Sequence, residues 1–238
     1  MTARPFRAKV LKIRYLTRDI RELTLEMIEP SLLPFQPGQS IAVTVPDPSS
    51  GSSLLRYFSL ASPPHSPKQL VLLLNSRDRG KGSTFLLNKE IGASLDLSGP
   101  YGSFTLQHDP DCELFFVGTG TGIAPLWSMI ATLLAQPSSQ PITLLWGLRC
   151  EADRYYLQEL ETWKNQNENF SYVLTLSQPS SAWQGEAGRV TDLLQGISIV
   201  DHLAVYVCGN RMMVKEVTEL LNEKGECTVY RERYHGNA

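Results

Sequence analysis

The sequence predicts two domains of different class, an antiparallel β-barrel followed by an α/β domain with a parallel sheet. Over Phe6–Leu106, short strand-like segments alternate with turns rich in glycine and proline, a pattern typical of antiparallel barrels or sandwiches. From Glu113 onward, apolar strands alternate with helical segments, which indicates a parallel sheet covered on both faces. The polar segment Gln107–Asp111 interrupts both patterns, so we expect domains at residues 1–108 and 109–238.

The strands predicted in the first half show apolar residues alternating with polar ones, as a half-buried strand requires. They are Arg7–Thr17, Ile20–Ile28, Ile41–Val45, Leu55–Ala61, Leu70–Asn75 and Ser94–Leu97. One helix is expected in this half, over Ser83–Lys89, directly after a pair of glycines.

The second half is predicted to alternate strands with helices in a βα repeat. The strands are expected at Leu114–Val117, Ile142–Trp146, Tyr172–Leu176, Leu203–Val207 and Thr228–Arg231. The helices are expected at Ala124–Leu134, Arg154–Asn165, Val190–Leu194 and Met212–Lys224.

Composition and charge exclude several classes of protein. A net charge of −2 argues against a nucleic-acid binder, which would carry a basic surplus. The four cysteines lack the short, fixed spacings of an iron–sulfur cluster, and no metal site is expected. A disulfide framework is not expected either, because the chain is large and shows no signal peptide. No apolar run approaches the roughly 18 residues of a membrane span. We therefore expect a soluble, cytoplasmic protein, and a monomer.

A glycine-rich loop follows the first predicted parallel strand. The segment Gly118–Pro125 contains Gly118, Thr119, Gly120, Thr121 and Gly122 and leads directly into a helix. Glycines let the backbone approach a pyrophosphate, and the helix start offers N–H donors to it. A tight turn without a ligand is the alternative, but the strand-before, helix-after context favours dinucleotide binding.

The end of the second parallel strand carries an arginine where an acidic, ribose-binding residue would be expected. This is Arg149, and Arg189 in the segment Gly188–Asp192 is a second cation of the same kind. Both can pair with a 2′-phosphate, or both can be solvated surface residues. Together they favour NADPH weakly over NADH.

The segment Arg56–Ser62 lies in a predicted strand of the barrel. Alternation places Arg56, Phe58 and Leu60 on one face of that strand, with Tyr57 on the other. An arginine here can form two parallel bonds to a phosphate. From the residues alone, core packing of the aromatic side chains is the favoured explanation of the segment.

Taken together, these motifs resemble the ferredoxin–NADP reductase family over almost the full length of the chain. The resemblance rests on the flavin motif R-x-[YF]-S at Arg56–Ser59 and on other motifs in the same order as in the family. These are Phe35–Gln39, the phosphate loop Gly80–Ser83, the domain-closing Gly99–Phe104, the loop Gly118–Pro125 and Cys208–Asn210.

The resemblance implies a role for each matching residue. Arg56 would hold the flavin phosphate with Gly82, Ser83 and Thr84, Phe58 would lie against the isoalloxazine, and Ser59 would bond near N5. Tyr57 and Asn75 would complete the flavin site. In the second domain, Cys208 would orient the nicotinamide beside Gly209 and would not act as a nucleophile. The other coenzyme-binding residues expected are Gly118, Thr119, Gly120, Thr121, Gly122, Arg149, Ser177 and Arg189.

The last residues resemble the ending of bacterial family members. Glu232 would take part in proton handling and Tyr234 would shield the flavin ring, although a frayed polar tail is the alternative. Ser177-Gln178 replaces the family's Ser-Arg pair, which argues against a preference for NADPH. The basic run Arg77, Arg79 and Lys81 would neutralise an FAD pyrophosphate, dock an acidic carrier or simply be solvated.

The resemblance implies an NAD(P)H-dependent flavoprotein reductase with FAD, or alternatively FMN, as cofactor. Electrons would pass to a separate acceptor, a ferredoxin, a flavodoxin or an oxygenase component, since no cluster-binding cysteines follow Tyr234. Two alternatives remain. The chain could reduce free flavin as a substrate, or it could be the electron-transfer subunit of a larger complex.

Overall fold

The computed structural model describes residues 3–47, 51–77, 79–107, 112–197, 202–225 and 227–232. The chain divides into two compact units. The first comprises Met1–Leu106 with Trp127–Thr132, and the second comprises Gln107–Leu126 with Leu133–Ala238. The expected boundary between residues 108 and 109 falls outside the described residues and stays a prediction.

The first unit is an antiparallel sheet with one short helix. Its strands are β1 (Arg4–Tyr15), β2 (Ile20–Glu29), β3 (Ser40–Asp47), β4 (Ser52–Ser59), β5 (Gln69–Asn75) and β6 (Ser94–Tyr101), and its helix is α1 (Lys81–Leu87). The helix begins and ends two residues earlier than predicted, and every predicted strand is present.

The sheet closes into a barrel. Its strand order is β4-β3-β6-β1-β2-β5, so β4 and β5 are the two edges. Leu60, the residue after β4, forms an antiparallel bridge with Leu72 of β5 and joins these edges. The predicted antiparallel barrel is therefore confirmed.

Alternation of buried and exposed residues explains why these segments form barrel strands. In β1, Phe6, Ala8 and Val10 are buried, whereas the residues between them are exposed. The buried side chains of β1, β2, β3, β5 and β6 meet in one core, with Leu25 and Leu72 fully enclosed, and the partly buried Phe58 of β4 packs against it. Burial of this apolar surface is the main contribution that stabilises the unit.

The second unit is a parallel sheet with helical connections. Its strands are β7 (Glu113–Thr119), β8 (Ile142–Leu148), β9 (Phe170–Leu176), β10 (Glu186–Ala187), β11 (Leu203–Cys208) and β12 (Thr228–Arg231). The connecting helices are α2 (Ile123–Leu134), α3 (Leu157–Gln166), α4 (Val190–Gln195) and α5 (Arg211–Lys224). The middle of α2, Trp127–Thr132, is assigned to the first unit. All neighbouring strands pair in parallel, as predicted.

The strand order β10-β9-β8-β7-β11-β12 positions the site. The chain moves outward from β7 through β8 and β9 to β10, and then returns to the other side of β7 to form β11. In open parallel sheets, ligands bind beyond the carboxyl ends of the strands at the point where the order reverses. That point here lies between β7 and β11.

Two details of the second unit differ from the sequence prediction. Helix α3 begins at Leu157 and not near Arg154, because Tyr156 has a left-handed backbone with φ of 58°. A left-handed residue cannot continue a right-handed helix, so the helix starts after it. The two-residue strand β10 was not predicted. None of the helices within the described ranges is both long and apolar enough to cross a membrane.

Candidate active site

Three glycines at the end of β7 and in the loop that follows it are required for different reasons. A Cβ at Gly118 would lie 2.9 Å from Leu126 Cδ1, so this glycine lets helix α2 pack onto the strand. A Cβ at Gly122 would collide with Gly209 Cα and would lie 2.6 Å from the Cys208 carbonyl oxygen. Gly122 therefore brings the loop after β7 into contact with the loop after β11.

Gly120 is constrained by its backbone and not by its surroundings. Its φ is 53°, a left-handed conformation, and a Cβ there would meet no atom within 4 Å. Its carbonyl oxygen accepts hydrogen bonds from Trp146 Nε1 at 3.2 Å and from the Tyr155 hydroxyl at 3.0 Å. The outer side of the loop is thus open at Gly120, while its carbonyl faces the buried aromatic side chains.

The carboxyl ends of β11 and β12 bring together a thiol and a carboxylate. Cys208 is fully buried at the end of β11, and its Sγ donates a hydrogen bond to Glu232 Oε2 at 2.8 Å. The backbone N–H of Glu232 donates to the Val207 carbonyl, which holds the residue after β12 against β11. The structure therefore unites two of the three residues expected to be catalytic.

Gly209 and Asn210 connect this pair to the glycine loop. Gly209 has φ of 146°, and a Cβ there would lie 2.9 Å from Thr119 N and would collide with Thr119 Oγ1. The N–H of Asn210 donates to Thr119 Oγ1, and Asn210 Oδ1 caps helix α5 by accepting from the N–H of Met212. The Thr119 hydroxyl, which the sequence predicts to bind the coenzyme, thus also accepts a hydrogen bond that joins the two loops.

At the end of β8, Arg149 lies beside the loop that follows β9. Its Nε donates to Gln178 Oε1 at 2.9 Å, and the N–H of Gln178 donates back to the Arg149 carbonyl. The N–H of Ser177 donates to the Leu148 carbonyl in the same connection. Gln178, the residue at which the resemblance led us to look for an arginine, therefore orients the arginine that follows the neighbouring strand.

Glu151, in the loop after β8, forms further hydrogen bonds to the loop after β9. Its Oε1 accepts from the backbone N–H of Ser180 at 2.9 Å and from the Ser180 hydroxyl at 2.6 Å. These bonds favour the ionised form, and the hydroxyl bond is the main cause of the lowered pKa of Glu151. An acidic group thus lies close to the expected phosphate-binding arginine.

Arg189 is the residue before helix α4, and its N–H donates to Asp192 Oδ2 at 2.7 Å. A Cβ at Gly147 would lie 2.8 Å from Val190 Cγ1, which locates this helix start beside the end of β8. Arg149 and Arg189 are therefore at the same edge of the sheet. Tyr234, expected to shield the flavin, lies outside the described residues.

In the first unit, the structure brings the flavin motif and the phosphate loop together. A Cβ at Gly82 would lie 2.7 Å from Arg56 Cβ and 3.1 Å from Phe58 Cζ, so α1 begins directly against β4. Ser83 and Thr84 follow in the first turn of α1. Arg56 Nη1 donates to the Leu55 carbonyl at 2.9 Å. The predicted phosphate-binding residues are thus neighbours.

The other flavin-motif residues have different surroundings. Phe58 packs against the barrel core, whereas Tyr57 is 49% exposed and meets Tyr101 edge to face, with ring centroids 5.3 Å apart. Ser59 ends β4 and is paired with Ser40 of β3. Asn75 ends a different strand, β5, where its Oδ1 accepts from the N–H of Arg77 and closes a turn.

The basic run beside the phosphate loop is largely neutralised within the barrel. Arg77 Nε lies 2.6 Å from Asp19 Oδ2, and Lys81 Nζ lies 3.2 Å from Asp47 Oδ2. Two of its three cations thus have acidic partners, which weakens the expectation of a patch that attracts acidic proteins.

Sequence reasoning missed the two side chains that hold the Gly120 carbonyl, Trp146 and Tyr155. The sequence pattern predicts Trp146 only as the last residue of a strand and Tyr155 only as part of a helix. A signal was available, because a buried indole N–H or tyrosine hydroxyl needs a hydrogen-bond acceptor. Tyr101 was likewise missed, although it stands inside the domain-closing motif.

The donor sets fit a flavin nucleotide in one unit and a nicotinamide dinucleotide in the other. The first unit offers the Arg56 guanidinium, two hydroxyls and first-turn N–H groups, the donors that bind phosphate. The second unit offers open space at Gly120 and the start of the helical segment after β7.

Comparison with known proteins agrees with both assignments. An oxidoreductase FAD-binding domain matches residues 7–106, and an oxidoreductase NAD-binding domain matches residues 116–219. Ferredoxin–NADP reductase B of Sorangium cellulosum (strain So ce56) is 33% identical over 240 residues, which cover 98% of this chain and 97% of that protein.

Oxygenase reductases are similar over part of their length. The propane 2-monooxygenase reductase component of Rhodococcus jostii (strain RHA1) is 30% identical over 226 residues, covering 92% of this chain and 60% of that protein. Among solved structures, the cytochrome P450 reductase of Amycolatopsis has a TM-score of 0.84 at 26% identity, covering 96% of this chain and 70% of the other.

The two domains define the class, an oxidoreductase that binds FAD and a nicotinamide coenzyme. Because a relative of the same length is 33% identical, the chain belongs to the ferredoxin–NADP reductase family. The expectation from the sequence is thereby confirmed at the level of family and cofactor, with FAD as the flavin that the matching domain binds.

The bond between Ser180 and Glu151 generates a prediction. Ser180→Ala should raise the pKa of Glu151 toward 4.5, because the hydroxyl that stabilises the carboxylate is removed. The shift is measured by NMR titration of the side-chain carboxyl, with Ser181→Ala as the control. Since folding lowers this pKa, the bond favours the folded state at neutral pH, and that contribution is lost as pH falls through the lowered value. An unchanged pKa in Ser180→Ala would contradict the assigned cause.

Proposed function

We propose that the protein transfers hydride from NAD(P)H to FAD and passes the electrons to a separate acceptor. When bound, FAD supplies the redox chemistry, accepting hydride at N5 and releasing electrons one at a time. The observation that carries the proposal is that one chain matches both an oxidoreductase FAD-binding domain and an oxidoreductase NAD-binding domain. The protein residues bind and orient the two reacting groups.

On the flavin side, Arg56 binds the phosphate together with the N–H groups of Gly82 and Ser83 and the hydroxyls of Ser83 and Thr84. The contact of Gly82 with Arg56 supports this role, because it brings the guanidinium to the start of α1. Ser59 donates a hydrogen bond near N5, and Phe58 supports the ring from the core side. Tyr57 and Asn75 complete the flavin site.

On the nicotinamide side, the loop Gly118–Gly122 binds the pyrophosphate, and Gly209 allows close approach to the ring. Cys208 orients the nicotinamide, and its hydrogen bond to Glu232 supports a linked role in which the carboxylate accepts or releases a proton through this contact. Tyr234 is proposed to cover the flavin ring. Arg149, Ser177 and Arg189 bind the adenosine half of the coenzyme, since they lie at the carboxyl edge of β8 and β9.

The acceptor is proposed to be a ferredoxin, a flavodoxin or an oxygenase component. Similarity to a ferredoxin–NADP reductase and to oxygenase reductase components supports this range of partners. We also propose that the protein works as a monomer in the cytoplasm. None of its four cysteines, all within the described residues, forms a disulfide, as is usual in a reducing compartment. The domain boundary is proposed between residues 108 and 109.

An absorption spectrum of the desalted protein tests the function directly. We expect a yellow protein whose flavin band bleaches when NADPH or NADH is added without oxygen, and the faster of the two identifies the preferred coenzyme. A colourless protein that reduces added flavin with saturation would instead support a free-flavin reductase. Bound flavin without turnover of soluble acceptors, together with a co-purifying partner, would support an electron-transfer subunit.

The role of Arg56 predicts a loss of flavin affinity. Arg56→Ala should weaken FAD binding by roughly 1.5–3 kcal/mol, the usual contribution of a hydrogen bond to a charged group. The affinity is measured by fluorescence titration of the flavin-free protein. Arg7→Ala, which removes an exposed arginine elsewhere in the barrel, is the matched control. Equal affinity in Arg56→Ala and Arg7→Ala would refute the role.

The role of Ser59 predicts a defect in chemistry and not in binding. Ser59→Ala should slow reduction of the bound flavin in a single turnover while FAD stays bound, because a hydrogen bond near N5 is lost. Stopped-flow absorbance measures the rate, and Ser53→Ala in the exposed part of the same strand serves as control. An unaltered rate in Ser59→Ala would exclude the proposed bond.

A further inference from the structure

Three hydrogen bonds converge on a single backbone carbonyl in the glycine loop. The Gly120 oxygen accepts from the N–H of Ile123 within the helical turn that begins at Gly120. It also accepts from Trp146 Nε1 at 3.2 Å and from the Tyr155 hydroxyl at 3.0 Å. A carbonyl has two lone pairs, so three donors saturate it and leave the peptide little freedom to rotate.

The two side-chain donors come from a rigid, buried pair. Trp146 is 0% exposed and Tyr155 is 4% exposed, so neither donor has a water molecule as an easy alternative. Their rings meet edge to face with centroids 4.8 Å apart, and the ring of Tyr156 packs against Tyr155 at 5.1 Å. Burial raises the pKa of the Tyr155 hydroxyl, which therefore stays protonated and able to donate at neutral pH.

Because residue 120 is glycine, its own backbone preference does not fix the Gly120–Thr121 peptide, and hydrogen bonds from other residues must do so. Gly120 is left-handed, and glycine populates left- and right-handed backbone about equally, so the local chain does not define the orientation of the next peptide. The peptide that joins Gly120 to Thr121 is planar and trans, so its N–H points opposite to its carbonyl. With the carbonyl held toward the buried pair, the N–H of Thr121 is directed away from the core.

That N–H belongs to the set of donors available to an anion. Thr121 and Gly122 lie in the first turn of the helical segment that continues into α2, and first-turn N–H groups have no acceptor within the helix. On the same loop, a Cβ at Gly120 would meet no atom within 4 Å, so a phosphate group can approach the backbone there.

We propose that Trp146 and Tyr155 are positioning residues that hold the Gly120–Thr121 peptide with its N–H directed at the pyrophosphate of the coenzyme. They set the affinity for the dinucleotide without touching it. This inference rests on the proposed use of NADH or NADPH and names the residues, outside the glycine motif, on which that site depends.

Calorimetric titration with ADP-ribose tests the proposal without requiring catalysis, because this ligand has the pyrophosphate but no nicotinamide. Trp146→Phe and Tyr155→Phe each remove one donor and keep an aromatic ring. Each should raise the Kd for ADP-ribose by about 2- to 10-fold, the effect of losing one neutral hydrogen bond. The double variant should exceed either single variant.

Flavin reduction adds a second readout that a purely structural role would not move. The variants should need more NADH for half-maximal reduction, while the limiting rate stays unchanged. Reduction by 1-benzyl-1,4-dihydronicotinamide, a hydride donor without phosphate, should be the same in all variants. Tyr156→Phe, which removes a hydroxyl from the adjacent buried ring, is the matched control and should retain the original Kd.

The outcomes separate this inference from the proposed function. An unchanged Kd for ADP-ribose in both folded single variants would overturn it, as would an equal increase in Tyr156→Phe. If the unaltered protein binds ADP-ribose but neither NADH nor NADPH reduces its flavin, the proposed function fails while the positioning role is still measured. A wild-type protein that does not bind ADP-ribose would overturn the inference.

Discussion

The backbone contact between Gly122 and Gly209 is the constraint on which the second unit depends. A side chain at residue 122 would collide with Gly209 Cα, so the loops after β7 and β11 can cross only because both residues are glycine. Their crossing brings Thr119 within reach of the Asn210 N–H, which fixes the start of α5. It also leaves Cys208 buried at the strand end, with Glu232 as its partner. The strand order reverses at this point of the sheet. The positions of Thr119, Cys208 and Asn210 there depend on glycine at residues 122 and 209, because a side chain at either residue would push the two loops apart.

The parts of this site that depend on local chemistry could be predicted from the sequence. A glycine loop between an apolar strand and a helix has few structural explanations, and the order of strands and helices implied the parallel sheet. Contacts between distant segments could not be predicted in this way. The sequence left open whether Arg149 pairs with a 2′-phosphate or is solvated, and it did not indicate that its Nε donates to Gln178, a residue from the next strand connection. Tyr155 was expected in a helix, but the left-handed backbone of Tyr156 delays that helix and leaves the Tyr155 hydroxyl directed at Gly120.

In the barrel, too, contacts between distant segments could not be predicted from the local sequence. Alternation correctly separated Tyr57 from Phe58 but did not reveal which face of β4 is the inside, because both faces carry aromatic residues. In the folded barrel, Phe58 packs on the core and Tyr57 meets Tyr101 at the surface. The closeness of Arg56 and Gly82 depends on the path of the chain around the barrel, and local sequence does not encode it. The resemblance to a known family predicted that contact, since a family preserves distant neighbours along with its motifs.

The ion pairs of Arg77 with Asp19 and of Lys81 with Asp47 affect how a carrier protein would meet this face of the barrel. A cation balanced by a carboxylate a few ångströms away produces a dipolar field, which fades faster with distance than the field of a lone charge. An approaching acidic protein would gain little long-range steering from this loop, and its rate of encounter here would change only slightly with ionic strength. Recognition at this loop would then depend on surface shape and short-range contacts formed after collision.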